Sequence, residues 1–133
     1  MMDVYTQLVE KAKEAMTYAY APYSHFQVGA ALLTDTDKIY TGCNVENASF
    51  GATNCAERTA IFKAVSEGEK RYKAIAIVSS SKEFTYPCGI CRQVMGEFMP
   101  NGQIILANAK GEVKIFEFKD LLPGHFTQED LNK

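Results

Sequence analysis

Ala74-Ile75-Ala76-Ile77-Val78 is an unbroken apolar run with no polar residue at alternate positions. A strand with one face in water alternates apolar and polar side chains, and a strand covered on both faces does not. The run therefore reads as a central strand packed by helices on either side. Helical stretches flank it in both directions along the chain. Upstream, a helix begins near Cys55 and stops before Gly68, a residue suited to the left-handed step after a helix end. Its Ala60, Ile61, Ala64 and Val65 form one stripe. Downstream, a helix starts at Pro87-Cys88 and ends before Pro100-Asn101-Gly102, with Val94, Met95 and Phe98 toward the core.

Farther out, Val4, Leu8, Ala12, Ala15, Met16 and Ala19 recur at helical spacing behind Asp3, an N-cap residue type, and predict a first helix to about Tyr18. Pro22 ends it. Phe26 to Thr34 reads as a strand covered on both faces, Asp35-Thr36-Asp37-Lys38 as a turn, and Ile39 to Cys43 as its hairpin partner. Asn44 to Gly51 is a polar loop. Ile104 to Ala107 predicts a fourth strand, and Val113, Ile115 and Phe116 a fifth at an edge. Leu121-Leu122-Pro123-Gly124-His125-Phe126 is an apolar, turn-rich tail. Strands and helices interleave, so the class is α/β with helices on both faces of one sheet.

The 133 residues fit a single domain, 1–133, long enough to bury a core without disulfides. Fourteen basic against sixteen acidic residues give a net charge of −2, and no Lys/Arg run builds a nucleic-acid surface. No window is apolar for about 18 residues and the start lacks a leader pattern, so a cytoplasmic protein with no membrane partner is expected. In a reduced compartment four cysteines read as metal or catalytic residues before bridges.

Three of these cysteines and one carboxylate lie in Thr53-Asn54-Cys55-Ala56-Glu57-Arg58 and Pro87-Cys88-Gly89-Ile90-Cys91. Three thiolates leave the fourth position of a tetrahedral zinc open, and an adjacent acid can move protons there. Cys88 and Cys91, spaced i and i+3 at a helix start, point the same way. Cys55 and Glu57 would point about 200° apart inside an ideal helix. Cys55 is therefore expected at the helix entrance with non-helical dihedrals, and Glu57 in the first turn. A zinc held by three thiolates is net negative. Two helix N-termini and Arg58 are the positive groups expected to offset that charge. Cys43 reads as a small buried hydrophobe. Two other readings stay open at this level: a thioredoxin-like redox pair at Cys88 and Cys91, and a structural zinc site with Cys43 as fourth ligand.

Cys55-Ala56-Glu57 with Pro87-Cys88-Gly89-Ile90-Cys91-Arg92-Gln93 resembles the zinc-dependent deaminase signature in the form with cysteine as first ligand. Ala21-Pro22-Tyr23-Ser24, Phe26-Gln27-Val28-Gly29-Ala30-Ala31, Gly42-Cys43-Asn44-Val45-Glu46-Asn47-Ala48-Ser49 and Leu121-Leu122-Pro123-Gly124 extend the resemblance, in order, to the small homotetrameric cytidine deaminases. It implies a three-layer α/β/α sandwich with a five-stranded mixed sheet, and hydrolytic deamination of cytidine and 2′-deoxycytidine in pyrimidine salvage. It implies one zinc per subunit on Cys55, Cys88 and Cys91, with Glu57 as proton shuttle. It also implies substrate contacts at Phe26, Asn44, Glu46 and Ala56, and at Phe126 reaching into a neighbouring subunit's site in a homotetramer. Read without the resemblance, Asn44 and Glu46 are polar turn residues, Phe26 a core aromatic and Phe126 an apolar tail residue.

Two positions depart from that pattern. Ile90 stands where alanine is common, and Phe50 where many relatives have a tyrosine hydroxyl. Neither touches the three cysteines or Glu57. A zinc-stabilised binding module without turnover is the alternative class. A deaminase acting on a nucleotide or on an aminoacylated pyrimidine antibiotic is the alternative within enzymes. No glycine-rich cradle or paired basic residues near Asn44 offer a phosphate site.

Overall fold

The computed structural model describes residues 3–132. Helix α1 (Val4–Met16) is followed by strands β1 (Val28–Thr34) and β2 (Ile39–Cys43), helix α2 (Ala56–Ser66), strand β3 (Tyr72–Ser79), helix α3 (Gly89–Phe98), and strands β4 (Gln103–Ala107) and β5 (Val113–Glu117). Two short helices, α4 (Phe118–Leu121) and α5 (Gln128–Leu131), complete the chain. The strands form one mixed sheet in the order β2-β1-β3-β4-β5. Only β3 and β4 run parallel, and α3 makes the crossover between them.

The period-two geometry of a strand splits the apolar runs between two cores. Leu32, Ile75, Ile77, Ile104 and Leu106 face α2, α3 and Phe118. Ala31, Leu33, Ala74, Ala76, Val78, Ile105 and Ala107 face α1. The second set is dominated by small residues, which lets α1 approach the sheet closely. A Cβ on Gly29 would stand 2.0 Å from the Ala12 carbonyl oxygen. On the other face Gly42 does the same for α2, where an added Cβ would stand 2.5 Å from the Ala56 oxygen and 2.6 Å from the Ala60 nitrogen. The result is the three-layer α/β/α sandwich with a five-stranded mixed sheet, with β3 at its centre.

Some boundaries differ from the sequence reading. Helix α1 closes at Met16, where Thr17 caps it by donating its backbone N–H to the Glu14 and Ala15 carbonyls. Phe26 and Gln27 lie outside β1 because the Asn44 amide takes the Phe26 carbonyl. Cys43 is half-buried rather than buried. Helices α4 and α5 flank the apolar, turn-rich tail, in stretches where the sequence predicts no helix. Among the described residues, no helix is long and apolar enough to cross a membrane.

Candidate active site

Two helix entrances meet at the site. Cys55 is the N-cap of α2 with extended dihedrals (φ −76°, ψ 157°). Cys88 is the N-cap of α3 (φ −67°, ψ 167°), and its Sγ accepts the Cys91 backbone N–H at 3.5 Å. The sulfurs of Cys55, Cys88 and Cys91 all lie within 4.8 Å of one another, and Cys55 Sγ is 3.8 Å from Cys88 Sγ. Two sulfurs bound about 2.3 Å from one tetrahedral ion stand about 3.8 Å apart, so the donor set fits zinc in type and spacing. Cys43 does not join the cluster.

The charges around the sulfurs favour one thiolate, at Cys55. Arg58 Nη2 donates to Cys55 Sγ at 3.4 Å. The neighbouring Cys91 thiol and the Arg58 guanidinium favour the thiolate of Cys55 and hold it below the usual thiol range against the opposing effect of burial. Cys91 is pushed well up, because it holds the proton it donates to Cys55 and is buried. Metal binding to this set therefore displaces that proton. Arg58 Nε is the one buried side-chain polar atom without a hydrogen-bond partner among the described residues.

Glu57 sits in the first turn of α2 with 4% of its surface exposed. Burial raises its pKa to about 7, and the neighbouring Cys55 charge adds to the effect. A carboxyl that titrates near neutrality can both accept and return a proton under working conditions. Ala56, the first residue of α2, is fully buried, with its backbone carbonyl close against Gly42 of β2.

The loop before α2 is laced to the loop after α1. Val45 pairs with Asn54 and with Tyr20, which sets Asn44 to Glu46 beside the Cys55 entrance. Asn44 is buried, accepting from Val28 N at 2.9 Å and donating to the Phe26 carbonyl at 2.8 Å. Phe26 is half-buried against the larger core. Glu46 Oε1 accepts the backbone N–H groups of Tyr23 and Ser24 at 3.0 and 3.1 Å, and Oε2 accepts the Ser24 hydroxyl. These donors, the Ser24 hydroxyl first, hold the Glu46 carboxyl below its usual range. Glu46 lines a pocket of about 370 Å³ with Tyr23, Ser24, Phe50 and Thr53.

Phe126 is 58% exposed, and its carbonyl accepts from Gln93 Nε2 at 2.8 Å. Arg92 donates to the Pro87 and Leu121 carbonyls at 2.8 and 2.7 Å. The C-terminal segment is thus tied to the helix that carries Cys91. The sequence reading did not assign Ser24, Arg92 or Gln93 a place in the site, because their partners lie 22, 29 and 33 residues away.

A mixed sheet flanked by helices, three cysteines able to hold one metal ion and a buried carboxyl at a helix entrance fit the class of zinc-dependent hydrolases. The family model for the cytidine and deoxycytidylate deaminase zinc-binding region matches residues 2–107. The chain belongs to that family, whose reaction is the hydrolytic deamination of cytidine to uridine. It is 51% identical over 126 residues to the cytidine deaminase of Halalkalibacterium halodurans, covering 94% of this chain and 96% of that one. It is 50% identical over 133 residues to that of Sporosarcina psychrophila, covering 98% and 96%. The crystal structure of cytidine deaminase from Burkholderia pseudomallei superposes with a TM-score of 0.88 at 48% identity, covering 94% of this chain and 100% of that one.

Proposed function

We propose that this protein hydrolyses the exocyclic amine of cytidine and 2′-deoxycytidine, releasing ammonia and leaving uridine and 2′-deoxyuridine. The observation that carries the reading is the joining of three sulfurs within 4.8 Å of one another to a buried Glu57 whose pKa lies near 7. Cys55, Cys88 and Cys91 would hold the zinc, leaving one position open. Bound zinc lowers the pKa of water toward neutrality and so supplies a strong nucleophile. Glu57 takes one proton from the attacking water and delivers it to the ring nitrogen beside the reacting carbon; it then takes the remaining proton of the added hydroxyl and passes it to the amine, which leaves as ammonia as the carbonyl forms. Arg58 and the two helix N-termini offset the thiolate charge.

Phe26 flanks the base, and Asn44 and Glu46 meet a sugar hydroxyl. The second Nδ2 proton of Asn44 and one lone pair of Glu46 are not committed by the contacts above. Phe126 reaches the site of a neighbouring subunit in a homotetramer, a role supported by its exposure and its tether to Gln93. The chain is read as one catalytic domain, 1–133, working in the cytoplasm on free nucleosides. The test follows the ultraviolet absorbance of cytidine with purified protein, before and after chelation and after zinc is restored. Turnover that falls on chelation and returns with zinc is expected. Tight zinc binding with no loss of cytosine absorbance would favour a binding module.

A further inference from the structure

Ser24 joins two residues that the proposed reading assigns to different parts of the substrate. Its Oγ accepts the Phe26 backbone N–H at 3.0 Å and donates to Glu46 Oε2. An ionised carboxylate can only accept, so the Ser24 proton is committed to Glu46 while an Oγ lone pair takes the Phe26 N–H. The result is a directed chain from the Phe26 backbone through Ser24 to Glu46. A carboxylate has about four acceptor positions. Three are occupied, two by the Tyr23 and Ser24 N–H groups on Oε1 and one by the Ser24 hydroxyl on Oε2.

The two segments meet by backbone as well. Tyr20 N–H donates to the Asn44 carbonyl and Glu46 N–H to the Tyr20 carbonyl, each at 2.9 Å. Asn44 closes the same lattice from the other end through Phe26 and Val28. His25, at φ 58°, takes the left-handed step that turns the loop between Ser24 and Phe26. A free Glu side chain has three rotatable bonds, and here it is held to a single orientation by a loop more than twenty residues away in sequence.

We propose that Ser24 is a positioning residue for the sugar end of the site. Its hydroxyl fixes the Glu46 carboxylate relative to Phe26, so that one Oε2 lone pair stays directed into the pocket and accepts a hydroxyl of the substrate. The proposal rests on the reading of Glu46 as a sugar contact. An acceptor held this way selects a sugar with a free hydroxyl at that place, and rejects one that carries an anionic group there.

A double-mutant cycle on the zinc-loaded enzyme tests it, with Ser24→Ala, Glu46→Ala and the pair, reading kcat and KM for cytidine together with zinc content and melting temperature. Ser24→Ala is expected to raise KM about tenfold, the scale of one hydrogen bond to a charged group. Its kcat and zinc content should stay near wild type. Ser24→Thr, which keeps the hydroxyl, should restore KM. In the Glu46→Ala background, Ser24→Ala should add less than about twofold, because the group it orients is gone. An equal KM increase in both backgrounds would overturn the proposal while leaving Glu46 as a sugar contact. So would a KM for Ser24→Thr as high as for Ser24→Ala in a folded, zinc-loaded protein. If Glu46→Ala and Glu46→Gln both leave KM unchanged, the sugar-contact reading fails, and the role of Ser24 falls with it.

Discussion

The sulfur of Cys55 lies 3.8 Å from the sulfur of Cys88, although 33 residues separate them in the chain. Each is the N-cap of its helix, so the contact brings the positive ends of α2 and α3 to one point. Two positive helix ends at this point would offset the charge of three thiolates holding a zinc, as the proposed function requires. The arrangement also makes the roles of the surrounding residues separable by experiment.

Arg58 tests that separation first. Its guanidinium donates to Cys55 Sγ but brings no ligand atom of its own. Arg58→Ala should lower kcat by about a hundredfold, the scale seen when a fixed charge-stabilising donor is removed. Zinc content should stay above half of wild type. Metal analysis beside steady-state kinetics reads both. Parallel loss of zinc and activity would mean that Arg58 serves only to retain the metal.

Glu57 makes the metal-free protein pH-dependent in a direction that can be worked out. Its folded pKa is raised from an ordinary 4.5 to about 7. Below about 4.5 the carboxyl is neutral in both folded and unfolded chains. Between the two values the folded chain keeps a proton that the unfolded chain has released. Stability is therefore lost as pH rises through this window, and the loss is complete above about 7. Glu57→Gln removes this dependence. Under reducing conditions and without zinc, the variant should be more stable than wild type at pH 8 by a few kcal/mol, as an order of magnitude. That advantage should shrink toward pH 4.5 in urea unfolding. A constant difference across the range would show that burial of the charge is not what it relieves.

Gly42 sets how deeply the entrance of α2 sits. An added methyl would stand 2.5 Å from the Ala56 oxygen and 2.6 Å from the Ala60 nitrogen, both backbone atoms that cannot rotate away. Gly42→Ala should cost about 1–3 kcal/mol of stability. It should also lower kcat in the surviving folded enzyme, because Cys55 and Glu57 move with the helix. Thermal melts and kinetics on the same preparation check this. An unchanged kcat with full stability would show that the helix rides over the methyl without disturbing the site.

Much of this site could be read before the structure, and the parts that could not share a cause. The entrance position of Cys55 follows from local geometry, since two residues about 200° apart on a helix cannot both face one ion. Cys88 and Cys91 follow from i,i+3 spacing. Ala74 to Val78 announces the central strand because burial on both faces abolishes alternation. Ser24 carries no comparable signal. Its partner Glu46 is brought to it by the pairing of Tyr20 with Val45, a tertiary event. Phe26 is lost from the expected strand for the same reason, its carbonyl being claimed by Asn44. The four-residue helices α4 and α5 are too short to show a period at all.

The C-terminal segment gives a test of its own. Arg92 and Gln93 on α3 hold the Leu121 and Phe126 carbonyls, and the His125 ring packs edge-on against Phe118, 5.3 Å between centroids. Ending the chain after Gly124 removes Phe126 while leaving every cysteine in place. KM for cytidine should rise with zinc content retained, measured by steady-state kinetics beside metal analysis. Unchanged kinetics would reject a role for Phe126 in a neighbouring site.

The most direct test of the central claim is turnover of cytidine and 2′-deoxycytidine by zinc-loaded wild type and Glu57→Gln, with zinc quantified in both. The amide keeps the shape of Glu57 but cannot relay a proton. If Glu57 is the proton shuttle, the variant keeps full zinc occupancy and loses at least about a hundredfold in kcat on both nucleosides, within the range for removing a general acid–base group. Wild-type turnover by Glu57→Gln would contradict it.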